Sequence, residues 1–272
     1  PGCRKLLERR RPFFKNDDRA DEMRIQELTQ YLDTYLRAGE FHDYAPNGLQ
    51  VEGTREVEHI VLGVSASLGL IDEAARLGAD VVLVHHGWFW KGESPRIAGV
   101  KGCRIRHLMQ SGMHLVGYHL PLDAHETVGN NAELARVLGL TIESRHGEYG
   151  LLHVGEIISG AMLAADFAQR VNAALGRAPL LVGDAQKMVR RIGWCSGAAQ
   201  DALAAAAALG CDLYLSGEIR EHTTFEAIES GVPYLAAGHT ATEQFGIQAL
   251  GRHLQKVFPG LVIEYVPQDN PV

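Results

Sequence analysis

Two short segments of this 272-residue chain carry the same reactive side chains in the same order. His119-Leu120-Pro121-Leu122-Asp123 follows the apolar run Leu115-Val116-Gly117-Tyr118, and His239-Thr240-Ala241-Thr242-Glu243 follows Leu235-Ala236-Ala237-Gly238. Each reads as a strand followed by His-x-x-x-carboxylate. A third cluster, His85-His86, closes the apolar run Val81-Val82-Leu83-Val84. Imidazole nitrogens and carboxylate oxygens at strand ends are the donors from which hydrolytic metal sites are built. His85 and His86 diverge from one strand end, so two neighbouring ions can take one each more easily than one ion can take both. Asp123 and Glu243 add oxygen ligands, and His239 adds a nitrogen. A carboxylate can bridge two ions, so these five ligands, with water completing each shell, make a workable two-metal hydrolytic centre. His119 reads either as a further ligand or as a proton carrier beside the metals. A lone histidine is more often a surface group or a satisfied polar residue. His42, His59, His107, His146, His153, His222 and His253 therefore receive no role.

The elements that position these residues alternate between strand and helix. Ile60 to Val64 reads as a buried strand, Leu68 to Leu77 as a helix stopped at Gly78, and Val81 to Val84 as the next strand. This is a βαβ unit and implies parallel pairing. A short helix over 104–112, a strand over 113–118 and a helix from Asn130 to Leu138 complete the first half. The second half repeats the order: strand Ile192–Cys195, helix Asp201–Leu209, strand Cys211–Leu215. Leu77-Gly78-Ala79-Asp80 matches Leu209-Gly210-Cys211-Asp212, and Ser111-Gly112 matches Ser230-Gly231. The expected fold is α/β: two related lobes of mostly parallel strands, an internal duplication, and a di-metal site between the lobes. The expected boundaries are 23–146 and 147–272, with about 147–191 an inserted piece holding its own strand (151–158) and helix (163–175). In open α/β sheets ligands bind beyond the carboxyl ends of the strands, and all three clusters fall there.

Residues 1–22 have no helical or strand period, and Met23 opens a helical pattern with Ile25, Leu28, Leu32 and Leu36 on one face. The first 22 residues are expected to be a disordered leader or an addition to the natural chain. A 46% hydrophobic content suffices for a core without disulfides. The net charge of -7 argues against a general nucleic-acid binder. Four cysteines without C-x-x-C spacing suit a reducing, cytoplasmic setting, and no apolar run approaches the ~20 residues of a membrane span.

Other motifs have structural explanations beside functional ones. Asn47 and Gln50, around the Pro46-Asn47-Gly48 turn, could rim a pocket. Trp88-Phe89-Trp90 could stack a base but is more often packing. Cys195-Ser196-Gly197 could present backbone N–H groups to a phosphate, although no P-loop lysine is there. Glu218, at the strand end that mirrors His86, is expected near the site.

Together, Tyr44 to Gly53, His85-His86-Gly87-Trp88-Phe89-Trp90-Lys91-Gly92, His119 to His125 and Ala237 to Glu243 resemble the YbgI-like di-metal proteins, the GTP cyclohydrolase 1 type 2 homologues. The resemblance runs from about Met23 to the C-terminus. It implies a two-domain α/β protomer, a toroidal homohexamer with its metal sites facing the inner cavity, and His85, His86, Asp123, His239 and Glu243 as ligands, with Glu243 bridging. His119 matches a family histidine close to the site. The turn after Trp194-Cys195 is usually richer in glycine in such proteins, whereas Ala198-Ala199 stand here. The expected function is a di-metal hydrolase of a small nucleotide-like substrate. In the cyclohydrolase version, activated water opens the imidazole ring of GTP, with His119 and Glu243 in the catalytic machinery. Two divalent ions per chain are expected, drawn from Zn, Mn, Fe or Ni. A two-metal phosphoesterase, or a metal-binding scaffold without turnover, is the alternative.

Overall fold

Uninterrupted apolar runs suit strands that are covered on both faces. The computed structural model describes residues 23–272, so the expectation for residues 1–22 lies outside the described residues. The chain begins with α1 (Ile25–Tyr35), β1 (Gly48–Val51), β2 (His59–Ser65), α2 (Leu68–Leu77), β3 (Val81–His86), α3 (Gly99–Gln110) and β4 (His114–Gly117). A short α4 (Leu120–Ala124) and α5 (Asn130–Leu138) follow, then β5 (Ser144–His146), β6 (Leu152–Glu156), β7 (Met162–Leu163) and α6 (Ala164–Leu175). The remainder is β8 (Leu180–Val182), β9 (Met188–Val189), β10 (Arg191–Trp194), α7 (Leu203–Ala208), β11 (Leu213–Ser216), α8 (Glu221–Ser230), β12 (Tyr234–Ala236), α9 (His239–Val257) and β13 (Val262–Tyr265).

The fold is mixed α/β, and the central strands of both larger sheets are parallel. A five-stranded sheet runs β1-β4-β3-β2-β13, all parallel except the β1 edge. A six-stranded sheet runs β5-β6-β10-β11-β12-β8, in which β10, β11 and β12 are parallel and the flanking strands antiparallel. Successive side chains of a strand face opposite ways. On the first sheet, Ile60, Leu62, Leu83 and Val116 therefore pack with α1 and α9, through Leu28, Leu32, Ile247 and Leu250. Val61, Val82, Val84 and Leu115 pack with α2 and α3 on the other face. On the second sheet, Ile192, Trp194, Leu213 and Leu215 pack with α5 and α6, while Tyr214 and Tyr234 pack with α7 and α8.

Several boundaries differ from the sequence reading, for physical reasons. The third helix begins at Gly99, not 104, and as a whole it is only weakly amphipathic, so periodicity gives a poor signal for its start. The predicted 201–209 helix starts as a 3-10 turn, Gln200–Ala202, and becomes α-helical at Leu203. A division at residue 146 is not followed by the strands. β5 pairs into the second sheet, and β13 returns to the first beside β2, where α9 has carried the chain across. No described helix is long and apolar enough to cross a membrane.

Candidate metal centre

Each cluster read from the sequence stands at the carboxyl end of a parallel strand. His85 and His86 are the last residues of β3. His119 follows β4 and starts α4, which carries Asp123. His239 is the first residue of α9, and Glu243 lies one turn further on, so the i,i+4 spacing stacks them on one face. The entry into α9 is sharp: Gly238 holds φ +97°, open to glycine and strained for any other residue.

The structure brings His85, His86, Asp123, His239 and Glu243 together and adds His119 beside them. Glu243 is 3% exposed and sits at the centre. Its Oε1 lies 3.5 Å from Nε2 of His85, and its Oε2 lies 3.3 Å from Nε2 of His86 and 3.1 Å from Nε2 of His239. Oδ1 of Asp123 lies 3.5 Å from Nε2 of His85. Donor atoms of His85, His86 and His119 form a third group within 4.8 Å of one another.

The far side of each ring is fixed. Nδ1 of His85 donates to the Tyr118 carbonyl at 3.0 Å, and Nδ1 of His86 lies 3.0 Å from the Ser65 hydroxyl. Nδ1 of His119 bonds Asp43 at 2.7 Å, and Nδ1 of His239 bonds Glu218 at 2.6 Å. Occupying Nδ1 this way turns Nε2 toward the centre, the arrangement that orients metal-bound imidazoles. Asp123 is steadied by Asn130 at 2.8 Å and the Ser196 hydroxyl at 3.3 Å.

The donor set fits divalent ions. Oε2 of Glu243 is buried without a hydrogen-bond partner, although two imidazole nitrogens stand beside it. A buried acceptor in that position calls for a cation. Two ligands bound at about 2.1 Å to one tetrahedral ion lie roughly 3.4 Å apart, which matches the 3.1 to 3.5 Å separations. The two oxygens of Glu243 face different histidines, as a bridging carboxylate requires. With the side chains alone, protons supply the positive charge. Burial works to lower the pKa of His85, but the carboxylates of Asp123 and Glu243 outweigh it and raise it to about 9. Burial likewise opposes, and Glu243 with Glu218 overcomes it, to bring His239 to about 9. His86 goes the other way, to about 3, because its burial and the neighbouring imidazoles outweigh Glu243. Burial pushes Asp123 up, and in Glu243 the imidazoles of His86 and His85 overcome burial and push it well down.

Asp43, Ser65 and Asn130 join the site without a sequence signal that marks them as site residues. Asp43 lies 76 positions from His119, and only the turn around Asn47 gives a local hint of it. Burial works to raise its pKa, but the hydrogen bonds from His119, Asn47 and the Leu120 N–H hold it at about 2. Glu218, expected near the site, is the partner of His239. Trp90 lies edge-on to His119, with ring centres 4.9 Å apart. The backbone after Cys195 is not a phosphate cradle. The Ser196 N–H is held by Asn131 and the Gly197 N–H by Thr242. Asn47 and Gln50 bond within the protein, Asn47 to Asp43 and the His119 N–H, Gln50 to the Trp88 N–H and the Pro46 carbonyl.

The sequence profile of the Duf34/NIF3 (NGG1p interacting factor 3) family matches residues 23–271, and the chain belongs to that family. An Allochromatium vinosum protein named GTP cyclohydrolase 1 type 2 homolog is 48% identical over 248 residues, covering 91% of this chain and 97% of its own. Its Escherichia coli namesake is 46% identical over 250 residues, covering 92% and 100%. The solved structure of a protein called ybgI, described as of unknown function, superposes with a TM-score of 0.88 at 44% identity, over 92% of this chain and 100% of that one.

Proposed function

We propose that the protein is a di-metal-dependent hydrolase of a small nucleotide-like substrate, with imidazole ring opening of GTP as the reaction to test first. The observation that carries this reading is the convergence of imidazole nitrogens on the two oxygens of buried Glu243, each ring fixed from behind. His85, Asp123 and Glu243 would hold one divalent ion, and His86, His239 and Glu243 the other. Bound ions of this kind supply Lewis acidity, lowering the pKa of water and stabilising developing negative charge. Zn, Mn, Fe and Ni all suit mixed nitrogen and oxygen ligands.

The chain's own residues supply the rest. Asp43, held ionised, can only accept, so it fixes the His119 proton on Nδ1. That leaves Nε2 of His119 to take a proton from the attacking water and return it to the leaving nitrogen. The names of the relatives support the cyclohydrolase version.

Apart from the exchanged strands β5 and β13, the two halves 23–146 and 147–272 are read as duplicated lobes, with the metal centre between them. The support is that each has three successive parallel strands and His-x-x-x-carboxylate after the third. A toroidal homohexamer and a cytoplasmic location complete the reading. The first rests on the resemblance, the second on the free Cys103, Cys195 and Cys211.

The test is formate release from GTP by metal-loaded protein, beside folded His85→Ala and Glu243→Ala variants. Turnover lost in both variants supports the reading, and full turnover in either refutes it. Phosphate release without formate would replace it with a phosphoesterase. No turnover across a nucleotide panel would leave a metal-binding scaffold.

A further inference from the structure

Arg104 on α3 stands apart from the other charged groups near the centre. Its Nε is buried without a hydrogen-bond partner, and no carboxylate of the described residues pairs with its guanidinium. Lys101, one turn earlier, is by contrast engaged by Glu93 at 3.0 Å. A desolvated guanidinium donor left unmatched is uncommon in a folded protein.

Its surroundings show what it can reach. A cavity of about 320 Å³ is lined by His86, His239, Trp90, Ser65, Ser67 and Arg104. A second cavity, of about 470 Å³, shares Ser65, Ser67 and Arg104 and runs on past Thr240 and Gln268. The two therefore adjoin at Arg104, one opening on the candidate metal ligands and the other leading away from them. The first turn of α2, from Ser67 to Leu70, forms part of the second cavity's wall. The start of α2 carries partial positive charge, with the Leu70 N–H already capped by the Ser67 hydroxyl. Asp269 also lines that wall and is the one acidic side chain in it, so an anion would settle toward Arg104 and α2.

From this geometry we infer that Arg104 is the anion-recognition residue of the centre and receives a phosphate group of the substrate. The inference rests on the hydrolase reading for the substrate's identity, but not for the binding of the anion. The planar guanidinium fork matches phosphate oxygens two at a time, which an ammonium group cannot do. The reacting part of the substrate then lies toward His86 and His239, with the indole of Trp90 on the wall between.

The probe is inorganic pyrophosphate, titrated calorimetrically into the full chain twice, once after chelator treatment and once loaded with zinc. Guanosine, which has the ring and no phosphate, is titrated alongside. Wild-type protein is expected to bind pyrophosphate in both states. R104M is expected to bind it at least about tenfold more weakly in both states, with R104K in between. Guanosine affinity and zinc content are expected to stay within about twofold of wild type, a pattern that general damage to the fold would not give. If R104M loses the native melting transition, R104Q and R104K carry the same comparison. Equal pyrophosphate affinity in wild type and these variants overturns the inference, as does absence of pyrophosphate binding to wild type. A protein that takes up no zinc but shows the Arg104 effect after chelator treatment would sink the hydrolase reading and leave this inference standing.

Discussion

Replacing Gly197 by alanine tests the position of the Glu243 carboxylate with a single methyl group. Gly197 holds φ +64°, where an L side chain costs about 1–2 kcal/mol. A Cβ there would fall 2.2 Å from Oε1 of Glu243 and 3.2 Å from Nε2 of His239. Real contacts of this kind do not come below 3.0 Å, so the carboxylate must retreat by most of an ångström or the turn must open. Gly176 isolates the backbone part of the cost. Its φ is +69°, and a Cβ there meets nothing within 4 Å. Gly176→Ala is expected to lower stability to urea by about 1–2 kcal/mol and leave metal affinity unchanged. Gly197→Ala is expected to cost about 1–3 kcal/mol more, from overpacking. It should also weaken zinc by at least about tenfold, equivalent to about 1.4 kcal/mol, because on the proposed reading Glu243 would serve both ions. Urea melts of the chelated proteins give the first quantity, and competition with a chromophoric chelator gives the second. Wild-type zinc affinity in Gly197→Ala, with a stability loss no larger than that of Gly176→Ala, would refute the reasoning.

Three further outcomes follow from the same contacts. Glu218→Gln removes the carboxylate behind His239, so zinc affinity should fall about 10–100-fold in the chelator competition, while the urea midpoint of the chelated protein falls only modestly with the loss of a partly exposed ion pair. Asp43→Asn replaces an acceptor-only carboxylate with an amide that can also donate to Nδ1, so the His119 tautomer is no longer fixed and formate release should fall about 100-fold with zinc content intact; loss of both together would count against a proton-carrying role. His153 supplies a pH signature away from the centre, because burial lowers its pKa from 6.5 to about 4 and the unfolded chain therefore binds more protons between those values. Stability is thus expected to fall as pH drops from 6.5 toward 4, by about 3 kcal/mol at most from this residue, with no contribution above pH 7. His153→Gln should flatten that segment of a urea-midpoint profile, and an unchanged slope would contradict the assignment.

The residues legible in the sequence were those whose signal is local. His85-His86 ends an apolar run, and the His-x-x-x-carboxylate segment of His239 and Glu243 follows another, so both strand ends are readable without a partner, whereas the helix that stacks His239 on Glu243 is not. The parallel strands were legible because uninterrupted valine, leucine and isoleucine leave no exposed face. Asp43 was not legible, because a polar residue in a turn is ordinary and its meaning arises only when His119 folds against it. Asn130 was read only as the first residue of a helix, and its bond to Asp123 depends on how α4 and α5 turn. The return of β13 to the first sheet was invisible for a similar reason. Val262 to Tyr265 is a four-residue strand with mixed exposure, and α9 alone determines which sheet it reaches. The turn after Cys195 offers N–H groups in sequence with no sign that the distant Asn131 and Thr242 side chains hold them.

The most direct measurement is metal content per chain, by plasma mass spectrometry on untagged protein reconstituted with zinc, manganese, iron or nickel and then desalted. Close to two ions per chain are expected in wild type, falling below one in Glu243→Ala because on the proposed reading that side chain would serve both positions. No retained metal in wild type with any of the four ions would contradict it, as would two ions per chain in Glu243→Ala.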